Sequence, residues 1–199
     1  MSYWAARSIW ALGEAQRVLG PETMNALGLR VVLDRAVARL AREVNAGRLI
    51  GGSATATAEA LLGLLALQRA EPTVERGALA SRVADLLVPL TTGSRSTAPW
   101  GARVDRAVDD WHAWGSRSTE ALAGAAVVLE RPDLLAAARV EADLLWARFA
   151  LAAQAPSLIA PDGGTTCFRR SHTASGLSWA VTWHWPRRRE SGGTPCWPV

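Results

Sequence analysis

Apolar residues recur at helical spacing from the start of the chain. In "SYWAARSIWALGEAQRVLG", Trp4, Ile9, Leu12 and Leu19 stand among small residues, and Gly20-Pro21 marks a stop. A second helix is predicted over about 23–46, with Leu29, Leu33, Val37, Leu40 and Val44 on one stripe. Arg30, Asp34, Arg35, Arg39, Arg42 and Glu43 surround that stripe, and Gly47 ends it. The alternation then repeats. "SATATAEALLGLLALQRA" is small-residue and almost uncharged up to Glu71-Pro72, and "GALASRVADLLVPL" is its more amphipathic partner. After a long loop, "SRSTEALAGAAVVLE" and "DLLAAARVEADLLWARFALAA" form a third pair, divided by Arg131-Pro132.

Aligning Trp10-Ala11-Leu12, Glu59-Ala60-Leu61 and Glu120-Ala121-Leu122 gives three hairpins spaced 49 and 61 residues apart. That period exceeds the roughly 34 to 47 residues of common helical solenoids. Each hairpin joins an alanine-rich helix that can be covered on all sides to an amphipathic helix with one wet face. Long connections precede the apolar helices and short turns precede the amphipathic ones. The pattern predicts an all-α fold of antiparallel helical hairpins, with the apolar helices inside and forming part of an α/α toroid.

Three stretches, "YWAARSIWALGEA", "GGSATATAEALLGLLAL" and "DDWHAWGSRSTEALAGAAVVLERPDLLAAARVEADLLW", resemble the inner and outer hairpins of the six-hairpin glycosidase-like superfamily over about residues 3–168. The resemblance implies an (α/α)6 toroid, of which three hairpins are visible. It also implies a saccharide substrate held in a funnel at the N-terminal ends of the inner helices, acid/base carboxylate chemistry, and no cofactor.

Charge and composition then separate the end of the chain from the rest. Residues 1–168 hold 17 arginines and 17 acidic side chains, so the net charge of +4 comes from 169–199, with five arginines and one glutamate. A basic tail alone does not make a nucleic-acid surface, and no nucleic-acid partner is expected. All 22 basic residues are arginine, which suggests GC-rich coding DNA. Tryptophan has a single codon. Reading the tail from each third base therefore forces glycine at Trp179-Ala180 and alanine at Trp183-His184, Trp185-Pro186 and Trp197-Pro198. Another alanine-rich hairpin can be written in that frame, so residues 169–199 are expected to be an irregular segment foreign to the fold and the chain a fragment of a longer enzyme. A partial toroid would leave an apolar flank open to self-association.

The first helix carries Arg7 and Glu14, which excludes a signal-peptide core or membrane span there. Cys167 and Cys196 have neither zinc-site spacing nor a disulfide framework, and a cytoplasmic, reducing setting is expected.

Candidate chemistry concentrates in "DRAVDDWHAWGSRSTE". Asp109 and Asp110 are the catalytic candidates, because glycoside cleavage uses an acid and a base or nucleophile; adjacent aspartates cannot face each other across a substrate, so at most one serves. Trp111 and Trp114 are candidates for stacking on sugar faces, His112 for hydrogen bonding or proton transfer, and Arg117 for holding a carboxylate or hydroxyls. Trp4 and Arg7, in "YWAAR", occupy an entry position in the first hairpin similar to that of Trp114 and Arg117 in "HAWGSR". Glu59 and Glu120 match in the repeat, but a glutamate near a helix start reads first as a cap or dipole partner. The motifs of class II terpene cyclases and of zinc-dependent prenyltransferases and lanthionine cyclases are missing. The alternative function is a non-enzymatic helical repeat scaffold binding a protein or peptide.

Overall fold

The computed structural model describes residues 1–104, 110–113 and 116–167. The chain is all-α in its main body. Helices α1 (Tyr3–Ala26), α2 (Leu29–Asn45), α3 (Ala54–Ala70), α4 (Val74–Leu87), α5 (Ser118–Val128), α6 (Pro132–Glu141) and α7 (Ala147–Leu151) follow in order. Among the described residues five short strands accompany them: β1 (Thr91–Thr92), β2 (Ala102–Arg103), β3 (Trp111–His112), β4 (Pro156–Ile159) and β5 (Thr165–Cys167).

Polar side chains start the helices where the sequence places them. Ser2, Ser53 and Thr73 accept hydrogen bonds from the amides of Ala5, Ala56 and Arg76 at 3.3, 3.3 and 3.1 Å. One boundary differs from the sequence expectation. Gly20 adopts φ 77° and ψ 166°, and helical turns resume at Pro21, so 23–26 belong to the kinked end of α1. The second helix begins only at Leu29, after Gly28 in the left-handed conformation. Proline opens a helical turn readily because its missing N–H needs no partner there, while the glycine absorbs the bend.

Helix α3 is the centre of the molecule. Its buried positions run almost without break from Ala54 to Leu67, and it packs against α1, α4 and α5. Tyr3 meets Glu59 and Gly13 meets Gly63, so α1 and α3 advance in the same direction. A β-carbon at Gly63 would lie 2.7 Å from the Ile9 carbonyl, and one at Gly13 would lie 2.6 Å from the Gly63 oxygen. Backbone therefore rests on backbone at this crossing. On the other side Arg117 and Glu120 act on Glu59 while Gly124 of α5 meets Leu65, so α5 also runs parallel to α3. Helices α2, α4 and α6 pair with α1, α3 and α5 in turn, but α1 buries only Ala6, Ile9, Gly13, Gln16 and Met24 and so is not covered on all sides as the sequence predicts, because among the described residues only α2 and α3 pack along it.

A smaller core lies below α6 and α7, where Ala102, Val104, Trp111, Leu145, Phe149 and Ile159 are buried together. Strands β3, β4 and β5 form an antiparallel sheet, with Trp111 opposite Ile159 and Pro156 opposite Cys167. A π-helical turn over Ala142–Trp146 joins α6 to α7. The buried Arg103–Glu141 ion pair, at 3.1 Å, ties β2 to α6. Among the described residues no helix is long and apolar enough to cross a membrane.

Candidate functional site

Because α1, α3 and α5 run in parallel, their N-terminal turns arrive at one end of the row they form. The side chains they bring together are Tyr3, Trp4, Arg7 and Trp10 from α1, Glu59 from α3, and Arg117 and Glu120 at the start of α5. Glu59 lies at the centre with 1% exposure. Its Oε1 accepts a hydrogen bond from the Tyr3 hydroxyl at 3.3 Å and lies 4.0 Å from Arg7 Nη1. Arg7 in turn donates to the Tyr3 oxygen at 2.8 Å. Oε2 of Glu59 is buried with no hydrogen-bond partner.

Burial pushes the Glu59 carboxyl above its ordinary range, because a carboxylate loses hydration there. Arg7, the Tyr3 hydroxyl and Arg117 work against that shift, and Glu120 adds to it. The Tyr3 phenol is also pushed up, first by burial and then by the neighbouring Glu59 charge.

The rim is more open. Trp4 is 72% exposed and meets Tyr3 edge-on with ring centroids 5.3 Å apart. Arg117 is half-exposed, pairs with Glu120 at 2.8 Å and places its guanidinium 5.4 Å from the centre of the Trp10 ring. Glu120 thus sits in the first turn of α5 beside a cation, as a dipole-complementing residue does. Glu59 does not follow that reading. It lies past the first turn of α3, facing Tyr3 and Arg7.

Of the sequence candidates, Trp4, Arg7 and Arg117 come together at this end of the row. Trp111 does not. Its indole is 1% exposed and packs edge-on against Trp146 at 5.3 Å, so it offers no open ring face for stacking. This corrects the sugar-stacking expectation for Trp111: strand pairing with Ile159 draws it into the lower core. His112 is half-buried beside it, opposite Leu158, and Asp110 is half-buried just before β3. Asp109 and Trp114 lie outside the described residues, as does 168–199.

Sequence reasoning assigns Tyr3 no role and reads Glu59 first as a cap or dipole partner, which its buried position past the first turn corrects. A signal for Glu59 was present: it is the lone charge in "SATATAEALLGLLALQ". A carboxylate in so apolar a helix must find partners on neighbouring helices or hold its proton. A concavity of about 430 Å³ opens at the same end of the molecule, lined by Met1, Glu43, Arg48, Leu49, Gly51 and Gly52. Among the described residues no cluster of three or more His, Cys, Asp or Glu side chains is placed to hold a metal ion. Comparison with protein-family models, curated proteins and solved structures finds no match to this chain.

Proposed function

We propose that the chain is a carbohydrate-active protein of the glycoside hydrolase type, its hairpins forming part of an (α/α)6 toroid whose saccharide site lies at the N-terminal ends of α1, α3 and α5. One observation carries this reading. Three parallel inner helices converge on a buried carboxyl with an unpartnered oxygen, rimmed by guanidinium groups and an exposed tryptophan. A carboxyl that keeps its proton suits the acid of glycoside cleavage, and aromatic and arginine side chains suit the apolar faces and hydroxyls of a sugar. Asp110 stays the sequence candidate for the second carboxylate.

The test is a thermal-shift screen against a panel of oligosaccharides. Stabilisation by a saccharide is expected, and Trp4→Ala is expected to abolish it while leaving the unliganded melting temperature close to wild type, since the ring is largely in solvent. A panel without any stabilising sugar rejects the reading.

Val18, Leu19, Leu27, Val31 and Val32 are exposed on the first hairpin, and these favour a second reading, a helical scaffold that binds a protein or peptide. The same apolar flank would support self-association.

A further inference from the structure

The geometry points to Glu59 as the proton donor of this site and to Tyr3 as the residue that positions it. The inference rests on the saccharide reading for its substrate and on the α1–α3 contact for its chemistry.

The two carboxyl oxygens of Glu59 are in different surroundings. Oε1 receives the Tyr3 hydroxyl at 3.3 Å, and Tyr3 itself receives Arg7 Nη1 at 2.8 Å. These donors run in series from a half-exposed guanidinium, through a phenol, to one carboxyl oxygen. An oxygen that accepts such a bond is the poorer place for a proton, so the proton belongs on Oε2. That atom is buried and has no partner. A carboxylic O–H left without an acceptor inside an apolar helix is a donor awaiting one.

The groups that face it come from both neighbouring helices. Tyr3 and Arg7 of α1, with Arg117 ahead of α5, favour the ionised form, and Glu120 of α5 opposes it. Burial outweighs them and holds the carboxyl toward its neutral form, while Arg7 and Tyr3 stand ready to stabilise the charge once the proton leaves. Arg7, half-exposed at the rim, stays within 4.0 Å of the carboxyl.

In the reaction, the Oε2 proton passes to the glycosidic oxygen as the bond from that oxygen to the anomeric carbon breaks, its electron pair staying with the leaving alcohol. Water adds to the anomeric carbon. Its surplus proton goes to a second carboxylate, and Glu59 is left ionised opposite Arg7 until it regains a proton from solvent. Tyr3 touches no reacting atom in this scheme. It keeps Oε1 occupied and so directs Oε2.

Two measurements on the full chain separate this inference from the saccharide reading. The first is carboxyl-carbon NMR titration of glutamate-labelled protein, with Glu59 assigned through Glu59→Gln. The Glu59 midpoint is expected above those of the surface glutamates, and Tyr3→Phe is expected to move it higher still, because the lost hydroxyl favoured the carboxylate. A Glu59 that titrates with the surface glutamates, or a midpoint indifferent to Tyr3→Phe, overturns the Glu59–Tyr3 assignment whatever the substrate.

The second compares dinitrophenyl glycosides, which leave without protonation, with the matching methyl glycosides, which need it. Glu59→Gln is expected to lower kcat/KM about 100- to 10,000-fold on the methyl glycosides and to leave the dinitrophenyl glycosides nearly unchanged. Equal losses on both overturn the proton-donor role. A wild-type protein that neither binds nor cleaves any glycoside removes that role together with the saccharide reading, while the titration still decides whether Tyr3 tunes Glu59.

Discussion

Glu59 shows what a single buried side chain does to the whole protein's response to pH. A free glutamate loses its proton near pH 4.5, whereas burial holds the native carboxyl above that value. Below about pH 4.5 both folded and unfolded chains are protonated there. Through the window from 4.5 to the raised native value the native state binds more protons, so stability falls as pH rises. Glu59→Gln keeps the shape and cannot ionise. Its melting temperature is therefore expected to exceed that of wild type at neutral pH, with the gain vanishing in acid. Paired melting curves across pH measure it, and a difference constant with pH would assign the effect to packing instead. Trp4 and Trp111 make the complementary point. Both are tryptophans of segments that lead into hairpins, yet Trp4 opens α1 in solvent while Trp111, on β3, is sealed against Trp146, a difference that periodicity alone could not show.

At the scale of the element, the inner helices owe their close approach to glycine. Gly63→Ala places a methyl group 2.7 Å from the Ile9 carbonyl and the Trp10 nitrogen, where backbone cannot yield as a side chain would. A loss of about 1–3 kcal/mol is expected in urea unfolding. Gly124→Ala is the contrasting case. Its added carbon meets only the end of the Leu65 side chain at 3.4 Å, so the gain in helix propensity, up to about 1 kcal/mol, is expected to offset the contact or exceed it. If both substitutions cost the same, the α1–α3 crossing is softer than its geometry implies. Most of the hairpin layout was legible in the sequence, because alanine-rich and amphipathic helices carry different patterns. The boundary between the first two helices was not, because a Gly-Pro pair can either end a helix or bend it, and here Gly28, eight residues later, makes the real break.

For the whole molecule, the attachment of the β1–β2 pair to the helical rows depends on a buried charge pair. Arg103 and Glu141 are fully covered, and Glu141 also accepts from the Arg103 amide at 3.2 Å and the Thr119 hydroxyl at 2.7 Å, while Arg103 reaches the Ala137 carbonyl at 2.6 Å. Burial pulls the Arg103 guanidinium below its usual range, opposed by Glu141. Glu141→Ala leaves an unpaired buried cation, and a loss of about 3–5 kcal/mol is expected, measured by denaturant unfolding. Retained stability would mean that water reaches Arg103. Neither residue stands out in the sequence, where one reads as a loop arginine and the other as one more charge on an amphipathic helix.

By itself the sequence determined the helical class, the pairing of helices into hairpins and the near-neutral balance of residues 1–168, since these follow from local spacing of apolar, small and charged residues. It also brought forward Trp4, Arg7 and Arg117 as residues at the starts of inner helices. Only the tertiary structure decided that these starts converge on Glu59, that Tyr3 and Arg7 satisfy one of its oxygens, and that Trp111 belongs to a core. Such facts depend on the parallel register of helices separated by dozens of residues, and burial and partnership across that distance leave no trace in a local pattern.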